Sequence, residues 1–162
     1  IGEGDNYFEK LYPWPHRITA LGIQDASALE KQYPGLKFVC GDGTRMPFAD
    51  NSFDIAFSSA VAEHVGSFEK QKKFYSEVLR VGRKAFITTP DRLFPIEVHT
   101  GIPFLHWLPK RLFRKIMSML GLHYFADEAN LNLLTVKEVK KILAGRKDVQ
   151  IVKKINSIIV IK

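Results

Sequence analysis

Apolar and polar residues form alternating blocks along residues 1–90 of the chain. Four blocks are short apolar runs with β-branched residues, a composition typical of strands; they read RITALGI, LKFVCGD, FDIAFSSA and KAFITTP. The blocks between them favour helices, including one that starts at about Ser67. Strands and helices that alternate at this spacing predict βαβ units and a parallel sheet.

Capping residues indicate where several helices begin. Ser27 and Glu30 have the spacing of a capping box, and so do Thr135 and Glu138. Proline suits the first turn of a helix, so we expect another helix to start at Pro109.

The alternation ends after Pro90, where a proline- and aromatic-rich connection begins. On a helical wheel, segment 109–120 has a basic arc and an apolar arc, which are Lys110, Arg111, Arg114 and Lys115 against Leu112, Phe113, Ile116, Met119 and Leu120. Such a helix either contacts an anionic membrane surface or buries its apolar arc on its own domain. The last run, VQIVKKINSIIVIK, predicts two antiparallel strands joined at Asn156 and Ser157.

Charge is distributed unevenly over the 162 residues, a length that suits a single domain. Residues 1–81 have 9 basic and 11 acidic side chains, whereas residues 82–162 have 15 and 6. A basic half suits nucleic acid, an anionic substrate or a lipid surface, and equally a solvated lysine-rich surface. The sequence contains no nucleic-acid-binding motif, so we expect no nucleic-acid partner.

The single cysteine, Cys40, excludes a disulfide framework and a cysteine-based metal site. It favours a reducing, cytoplasmic compartment. No apolar run approaches the ~20 residues that a membrane span requires.

Parallel sheets bind ligands at the carboxyl ends of their strands. Small and polar residues lie at or just after each predicted strand end: Gly2 and Gly4, Gly22 to Asp25, Asp42 and Gly43, Ser58 and Ser59, and Thr89. This edge is therefore the predicted ligand-binding side of the sheet.

Residues 38–65 carry a resemblance to a known family. They read FVCGDGTRMPFADNSFDIAFSSAVAEHV, which combines a strand, Asp-Gly, Met-Pro-Phe, a second strand and Glu-His-Val. In this order and spacing the segment resembles class I S-adenosylmethionine-dependent methyltransferases of the type 11 small-molecule subgroup. The resemblance extends over residues 1 to about 90, and over 135–162 through the terminal hairpin.

The resemblance implies a fold, a domain organisation and a cofactor. The fold is an α/β, Rossmann-like methyltransferase sheet, mostly parallel, with a C-terminal antiparallel hairpin. Residues 1–162 are expected to form one domain with a substrate-side insertion at about 91–134. The implied reaction transfers a methyl group from S-adenosylmethionine to a small-molecule or lipid-like acceptor.

The opening residues, IGEGDN, resemble the second half of the family's first glycine-rich motif. There the resemblance implies that Gly2, Glu3 and Gly4 hold the methionine part of the cofactor, while Asn6 stands where a third glycine is usual. The family's first strand runs directly into this turn, and only Ile1 is available for it. We therefore expect a chain that starts within the domain, with its first strand largely missing.

Two further turns carry the implied adenosine contacts. In the family, an acid at the end of the second strand binds the ribose hydroxyls. Gly22 occupies that position here, so the candidate replacement is Asp25, near Ile23 in the same turn. The alternative role of Asp25 is to help start the next helix. Asp42 is expected to accept from the adenine amino group, and the backbone N–H of Gly43 to meet the ring.

The turn after the third predicted strand is implied to lie under the methionine end of the cofactor, next to the acceptor. Its Ser58 and Ser59 are candidate cofactor contacts, and His64 is a candidate general base. His99 is the second catalytic candidate, because it lies in the insertion, where loops shape substrate pockets. No third ligand is evident beside His99 and His106, so we predict no metal site. For each histidine the alternative is local packing.

Besides an RNA methyltransferase, which the basic half allows although no aromatic-basic RNA-binding signature appears, two other interpretations stay open. One is a non-catalytic methyltransferase-like scaffold, since Gly22 and Asn6 depart from the family pattern. The other is a nicotinamide-dependent dehydrogenase, although Tyr7 stands where its fingerprint requires glycine. Affinity for S-adenosylhomocysteine separates an enzyme from a scaffold.

Overall fold

The computed structural model describes residues 7–162. The predicted cofactor contacts at Gly2, Glu3 and Gly4 lie outside the described residues. The chain divides into two compact units, Ile1–Pro47 and Phe48–Lys162. The described strands form one sheet in each unit.

The first unit contains two short helices and two strands among its described residues. They are α1 (Tyr7–Leu11), β1 (Thr19–Gly22), α2 (Ala28–Gln32) and β2 (Lys37–Cys40). β1 and β2 are parallel neighbours, as predicted for a βαβ unit. The small core between them and α2 consists of Ile18, Ala20, Leu29 and Leu36.

The second unit contains the larger sheet and the other described helices. In chain order its elements are β3 (Phe53–Ser59), α3 (Phe68–Val81), β4 (Gly82–Pro90), α4 (Lys110–Met119), α5 (His123–Ala126), α6 (Val136–Ile142), β5 (Gln150–Lys153) and β6 (Ser157–Ile161). The sheet order is β3-β4-β6-β5, in which β3 and β4 are parallel and the other neighbours antiparallel. This confirms the predicted α/β fold with parallel strands and a C-terminal antiparallel hairpin.

The predicted capping box is correct at α6 and wrong at α2. At α6, Thr135 and Glu138 form both hydrogen bonds of the box. At α2, Ser27 makes no side-chain cap hydrogen bond. The Glu30 carboxylate accepts instead from the backbone N–H of Phe38 at 2.8 Å, because the start of β2 offers it a donor.

Residues 91–134 connect β4 to α6 and build a hydrophobic cluster of their own. Its buried members are Phe113, Met117, Leu131 and Leu133. α4 begins directly after Pro109, as predicted. The predicted apolar arc of α4 is only partly buried, since Leu112, Met119 and Leu120 are exposed. None of the described helices has the length and apolar character that crossing a membrane requires.

Candidate active site

The carboxyl ends of β1 and β2 lie side by side in the first unit, because the two strands are parallel neighbours. Asp42 follows β2; it is exposed, and its Oδ1 accepts from the N–H of Thr44 at 2.7 Å. Asp25 follows β1; it is also exposed, and its Oδ1 accepts from the N–H of Ser27 at 2.9 Å. This backbone hydrogen bond lowers the pKa of Asp25. Two exposed carboxylates thus stand at one end of this sheet.

Gly22 ends β1 where the resemblance expects an acid. A Cβ at this position would lie 3.3 Å from Cε2 of Phe38, which is tighter than an ordinary van der Waals contact. Packing against Phe38 therefore favours glycine here and leaves Asp25 as the acid of this turn. Ile23 is 75% exposed, and Gly43 in the neighbouring turn is half-buried.

β3 ends in the two predicted hydroxyl residues, which have different surroundings because successive strand residues face opposite sides. Ser58 is buried, and its Oγ has no hydrogen-bond partner among the described residues. Ser59 is exposed, and its Oγ lies 3.1 Å from Oγ1 of Thr88. A buried hydroxyl without a partner is rare in proteins, so Ser58 is the better candidate of the two for a ligand contact.

The turn after β3 brings a buried glutamate next to the end of β4. Ala60 has a φ of 51°, and a short 3₁₀ turn then spans Ala62–His64. The Glu63 side chain is fully buried, with Oε2 accepting from Oγ1 of Thr89 at 2.8 Å. Its Oε1 has no hydrogen-bond partner within residues 7–162. Burial raises the pKa of Glu63.

The two predicted catalytic residues, His64 and His99, meet in the second unit. Their Nε2 atoms are 3.1 Å apart, and the rings are edge to face with centroids 4.8 Å apart. Nδ1 of His64 lies 2.6 Å from the carbonyl oxygen of Asn130, and its Nε2 lies 3.9 Å from Oε1 of Glu63. The side chains of His64 and His99 are 33% and 19% exposed, so both are accessible from solvent.

Glu97 orients His99. Its Oε1 lies 2.6 Å from Nδ1 of His99 and accepts from the backbone N–H of the same residue at 3.0 Å. Its Oε2 accepts from the N–H of Thr100 at 2.7 Å. Burial alone would raise the pKa of Glu97, but the hydrogen bonds from His99 and Thr100 lower it to about 2. The same hydrogen bond to Glu97 raises the pKa of His99.

Four residues that organise this cluster are missing from the sequence predictions; they are Gln71, Glu97, Asn130 and Asn132. The backbone N–H of Asn132 donates to the carbonyl oxygen of Glu63 at 2.8 Å. Nε2 of Gln71 donates to the carbonyl oxygen of Asn132 at 2.6 Å. Only Glu97 has a sequence signal, an acid two residues before a histidine in EVHT. The other three act through contacts between distant parts of the chain.

His106 has other partners, although it lies in the same insertion. It is buried, and its Nε2 lies 2.8 Å from the carbonyl oxygen of Phe94. Trp107 packs edge-on against Phe104, with ring centroids 4.9 Å apart. These contacts account for Nε2 of His106 and for one side of the Trp107 ring, whereas Nδ1 of His106 has no hydrogen-bond partner among the described residues.

Comparison with known families decides the family of the chain. The sequence profile described as "Methyltransferase domain" matches residues 2–85, which is more than half of the 162 residues. The chain belongs to this methyltransferase family. Methyltransferases of this kind use S-adenosylmethionine as the methyl donor. The matched region contains Asp25, Asp42, Ser58 and His64, whereas His99 lies beyond it.

Curated relatives match about half of the chain. An uncharacterized methyltransferase from Mycolicibacterium vanbaalenii is 34% identical over 90 residues, which are 51% of this chain and 33% of that protein. The chain spans about a third or less of the length of the first curated relatives it matches.

Solved structures share the fold. A SAM-dependent methyltransferase from Methanosarcina mazei has a TM-score of 0.56 at 18% identity, covering 89% of this chain and 80% of that chain. The N-methyltransferase NodS from Bradyrhizobium japonicum, in complex with S-adenosyl-L-homocysteine, has a TM-score of 0.56 at 10% identity, covering 96% of this chain and 70% of that chain. At such identities the likeness establishes the Rossmann-like methyltransferase fold.

Proposed function

We propose that this chain transfers a methyl group from S-adenosylmethionine to a small-molecule or lipid-like acceptor, as a single domain of 162 residues. The observation that carries the proposal is the family match over residues 2–85. That match crosses the boundary between the two units, which supports one domain. We propose a cytoplasmic reaction, which suits the free thiol of Cys40.

The described residues suit the adenosine part of S-adenosylmethionine. Asp42 and Asp25 are exposed carboxylates at one end of the first unit's sheet, and carboxylates accept hydrogen bonds from ribose hydroxyls and from an amino group. In this proposal Asp42 accepts from the adenine amino group and Asp25 from the ribose. The other proposed cofactor contacts are Gly2, Glu3, Gly4, Ile23, Gly43, Ser58 and Ser59.

S-adenosylmethionine supplies an electrophilic methyl group, whose carbon–sulfur bond breaks as a lone pair of the acceptor bonds to the carbon. His64 and His99 are the proposed catalytic residues, because an Nε2 of this pair takes the proton that the acceptor releases. Glu97 holds His99 in the orientation in which Nε2 faces His64. These side chains align the acceptor and remove its proton.

Calorimetric titration with S-adenosylhomocysteine tests the proposed function. We expect micromolar binding that Asp42→Ala weakens by about 10- to 100-fold, because the substitution removes a charged hydrogen-bond acceptor. Asp54→Ala is the matched control. Asp54 is an exposed acid of β3 whose carboxylate lies 3.5 Å from Arg83, so this variant should bind like the original chain.

The outcomes separate the two interpretations of the fold. A folded chain that fails to bind S-adenosylhomocysteine contradicts the enzyme proposal and favours a non-catalytic methyltransferase-like scaffold. Equal weakening in Asp42→Ala and Asp54→Ala would contradict the specific role of Asp42.

We also propose that segment 109–120 contacts an anionic membrane, which would present a lipid-like acceptor. Met119 and Leu120 are 76% and 57% exposed, and Arg111 and Lys115 are exposed on the same helix. We expect co-sedimentation with phosphatidylserine vesicles and not with phosphatidylcholine vesicles, because binding needs both apolar insertion and charge. The double substitution Met119→Ser and Leu120→Ser should abolish it; unchanged sedimentation of that variant would exclude this surface.

A further inference from the structure

In their neutral forms, His64 and His99 would present two lone pairs to each other. Nδ1 of His64 lies 2.6 Å from the carbonyl oxygen of Asn130, and a carbonyl only accepts, so Nδ1 carries the hydrogen. Nδ1 of His99 lies 2.6 Å from the carboxylate of Glu97, which assigns the same tautomer to that ring. In neutral rings both Nε2 atoms are therefore acceptors, and they are 3.1 Å apart. A proton on one Nε2, which the raised pKa of His99 favours, or a metal ion between the two rings would remove this conflict.

Glu63 adds a third acceptor at the same point. Its Oε1 is buried, has no hydrogen-bond partner among the residues that the structure describes, and lies 3.9 Å from Nε2 of His64. One ligand atom from each of Glu63, His64 and His99 lies within 4.8 Å of the other two. A buried carboxylate oxygen without a donor is costly. Three acceptors that converge in this way form a site for a positive ion.

In contrast to the sequence prediction of no metal site, we propose that Glu63, His64 and His99 bind a divalent transition-metal ion, for which Zn²⁺ is the test ion. Two histidines and one carboxylate form a ligand set that leaves a fourth tetrahedral position open. With metal–ligand bonds of about 2.0–2.1 Å, tetrahedral ligand atoms are about 3.3 Å apart. The separations of 3.1 Å and 3.9 Å lie on either side of that value. All three ligand atoms lie within 4.8 Å of one another, so ion binding would change each ligand separation by no more than about 1.5 Å.

The three proposed ligands have hydrogen-bond partners of the kind that orient ligands in metal sites. Glu97 and Asn130 accept the Nδ1 hydrogens, an outer shell that orients histidine ligands and makes them more basic. Thr89 holds the other oxygen of Glu63. Since His64 is one-third exposed, an ion reaches the site from solvent.

Ion binding itself is independent of the proposed function. A catalytic role of the ion rests on the proposed methyl transfer. The fourth position would hold an oxygen of the methyl acceptor, and the ion would favour loss of that acceptor's proton. In that state the two Nε2 atoms would serve as ligands in place of the base role proposed above, and the acceptor's proton would pass to solvent water, which reaches the site beside the partly exposed His64.

The test is titration of the chelator-treated full chain with Zn²⁺ by calorimetry, followed by Co²⁺ substitution, whose visible absorption reports a tetrahedral site. We expect one ion per chain. His99→Ala and Glu63→Gln should weaken binding more than the outer-shell variant Glu97→Gln, for which we expect a loss of about 10- to 100-fold. His16→Ala and His123→Ala are the controls, because both histidines are exposed and lie outside the cluster.

Circular dichroism establishes that each variant is folded. His99 is partly exposed, so His99→Ala decides the question even if Glu63→Gln loses its fold. Failure of the folded original chain to bind Zn²⁺ one to one would overturn the proposal, as would binding that survives both His64→Ala and His99→Ala. Binding of S-adenosylhomocysteine is measured separately, so failure of this proposal and failure of the proposed function are distinguishable.

Discussion

Glu63 shows how much a single buried residue constrains this molecule. Its carboxylate accepts one side-chain hydrogen bond, from Thr89, and nothing in residues 7–162 donates to its other oxygen. Tyr75 has a buried hydroxyl that is also without a partner among these residues, and its pKa is raised by burial and by the charge of Glu63. Unsatisfied buried polar groups destabilise a fold, so Thr89 is the residue on which local stability depends.

Thr89→Val tests this dependence. The substitution keeps the side-chain volume and removes the side-chain donor of Glu63, so we expect the free energy of unfolding in urea to fall by about 1–3 kcal/mol. Thr88→Val is the matched control on the opposite face of β4. Thr88 contacts the exposed Ser59, whose hydroxyl can turn to water, so we expect a change within about 0.5 kcal/mol. Equal losses in the two variants would contradict the role given to Thr89.

At the scale of elements, α6 shows a short helix that depends on its ends. Val136–Ile142 has only 7 residues, too few to be stable alone in water. The capping box of Thr135 and Glu138 starts it, and Lys110 lies 3.4 Å from the Glu138 carboxylate. Glu138 therefore links α6 to the start of α4.

We predict that Glu138 makes stability depend on pH. Burial raises the pKa of Glu138, but the hydrogen bonds from Thr135 and the charge of Lys110 outweigh burial and lower the pKa below its ordinary value. Because the pKa of Glu138 is lower in the folded chain than in the unfolded chain, its carboxylate stabilises the fold above the unfolded-state pKa. This stabilisation is lost as pH falls through the folded-state pKa. Glu138→Gln keeps the cap but cannot ionise. Its unfolding free energy should therefore fall less than that of the original chain between about pH 6 and pH 3; parallel curves would contradict the prediction.

At the scale of the whole molecule, the chain has two compact units and one proposed domain. The units are Ile1–Pro47 and Phe48–Lys162, each with a sheet of its own. The chain has two tryptophans, Trp14 in the first unit and Trp107 in the second. Each tryptophan is about half exposed, so its fluorescence reports the unfolding of its own unit.

A single domain predicts that both reporters unfold together. We expect Trp14→Phe and Trp107→Phe, each with one tryptophan left, to have the same urea midpoint, because a single domain unfolds cooperatively. Far-ultraviolet circular dichroism provides the common reference for both variants. Two separate midpoints would show that the units fold independently and would contradict the single-domain proposal.

The local pattern of the sequence was sufficient for most of the fold. The four apolar runs correspond to β1 to β4, and the final run forms the β5–β6 hairpin. The capping box at Thr135 was correct. These features repeat every two to four residues along the chain, so neighbouring positions contain the information. Family membership was also readable, because residues 38–65 keep the order and spacing of the motifs.

Only the tertiary structure decided how the second unit's site is built. His64 meets His99 across 35 positions and Asn130 across 66, and no periodicity links residues so far apart. Glu30 illustrates the same limit. Its spacing from Ser27 predicted a capping box, but its carboxylate accepts from the backbone N–H of Phe38 in β2. The sequence by itself determined the elements, their order and the family, because those follow from local patterns. The contacts of His64 with His99 and Asn130 were decided by folding, because they form only when residues 91–134 pack against the turn after β3.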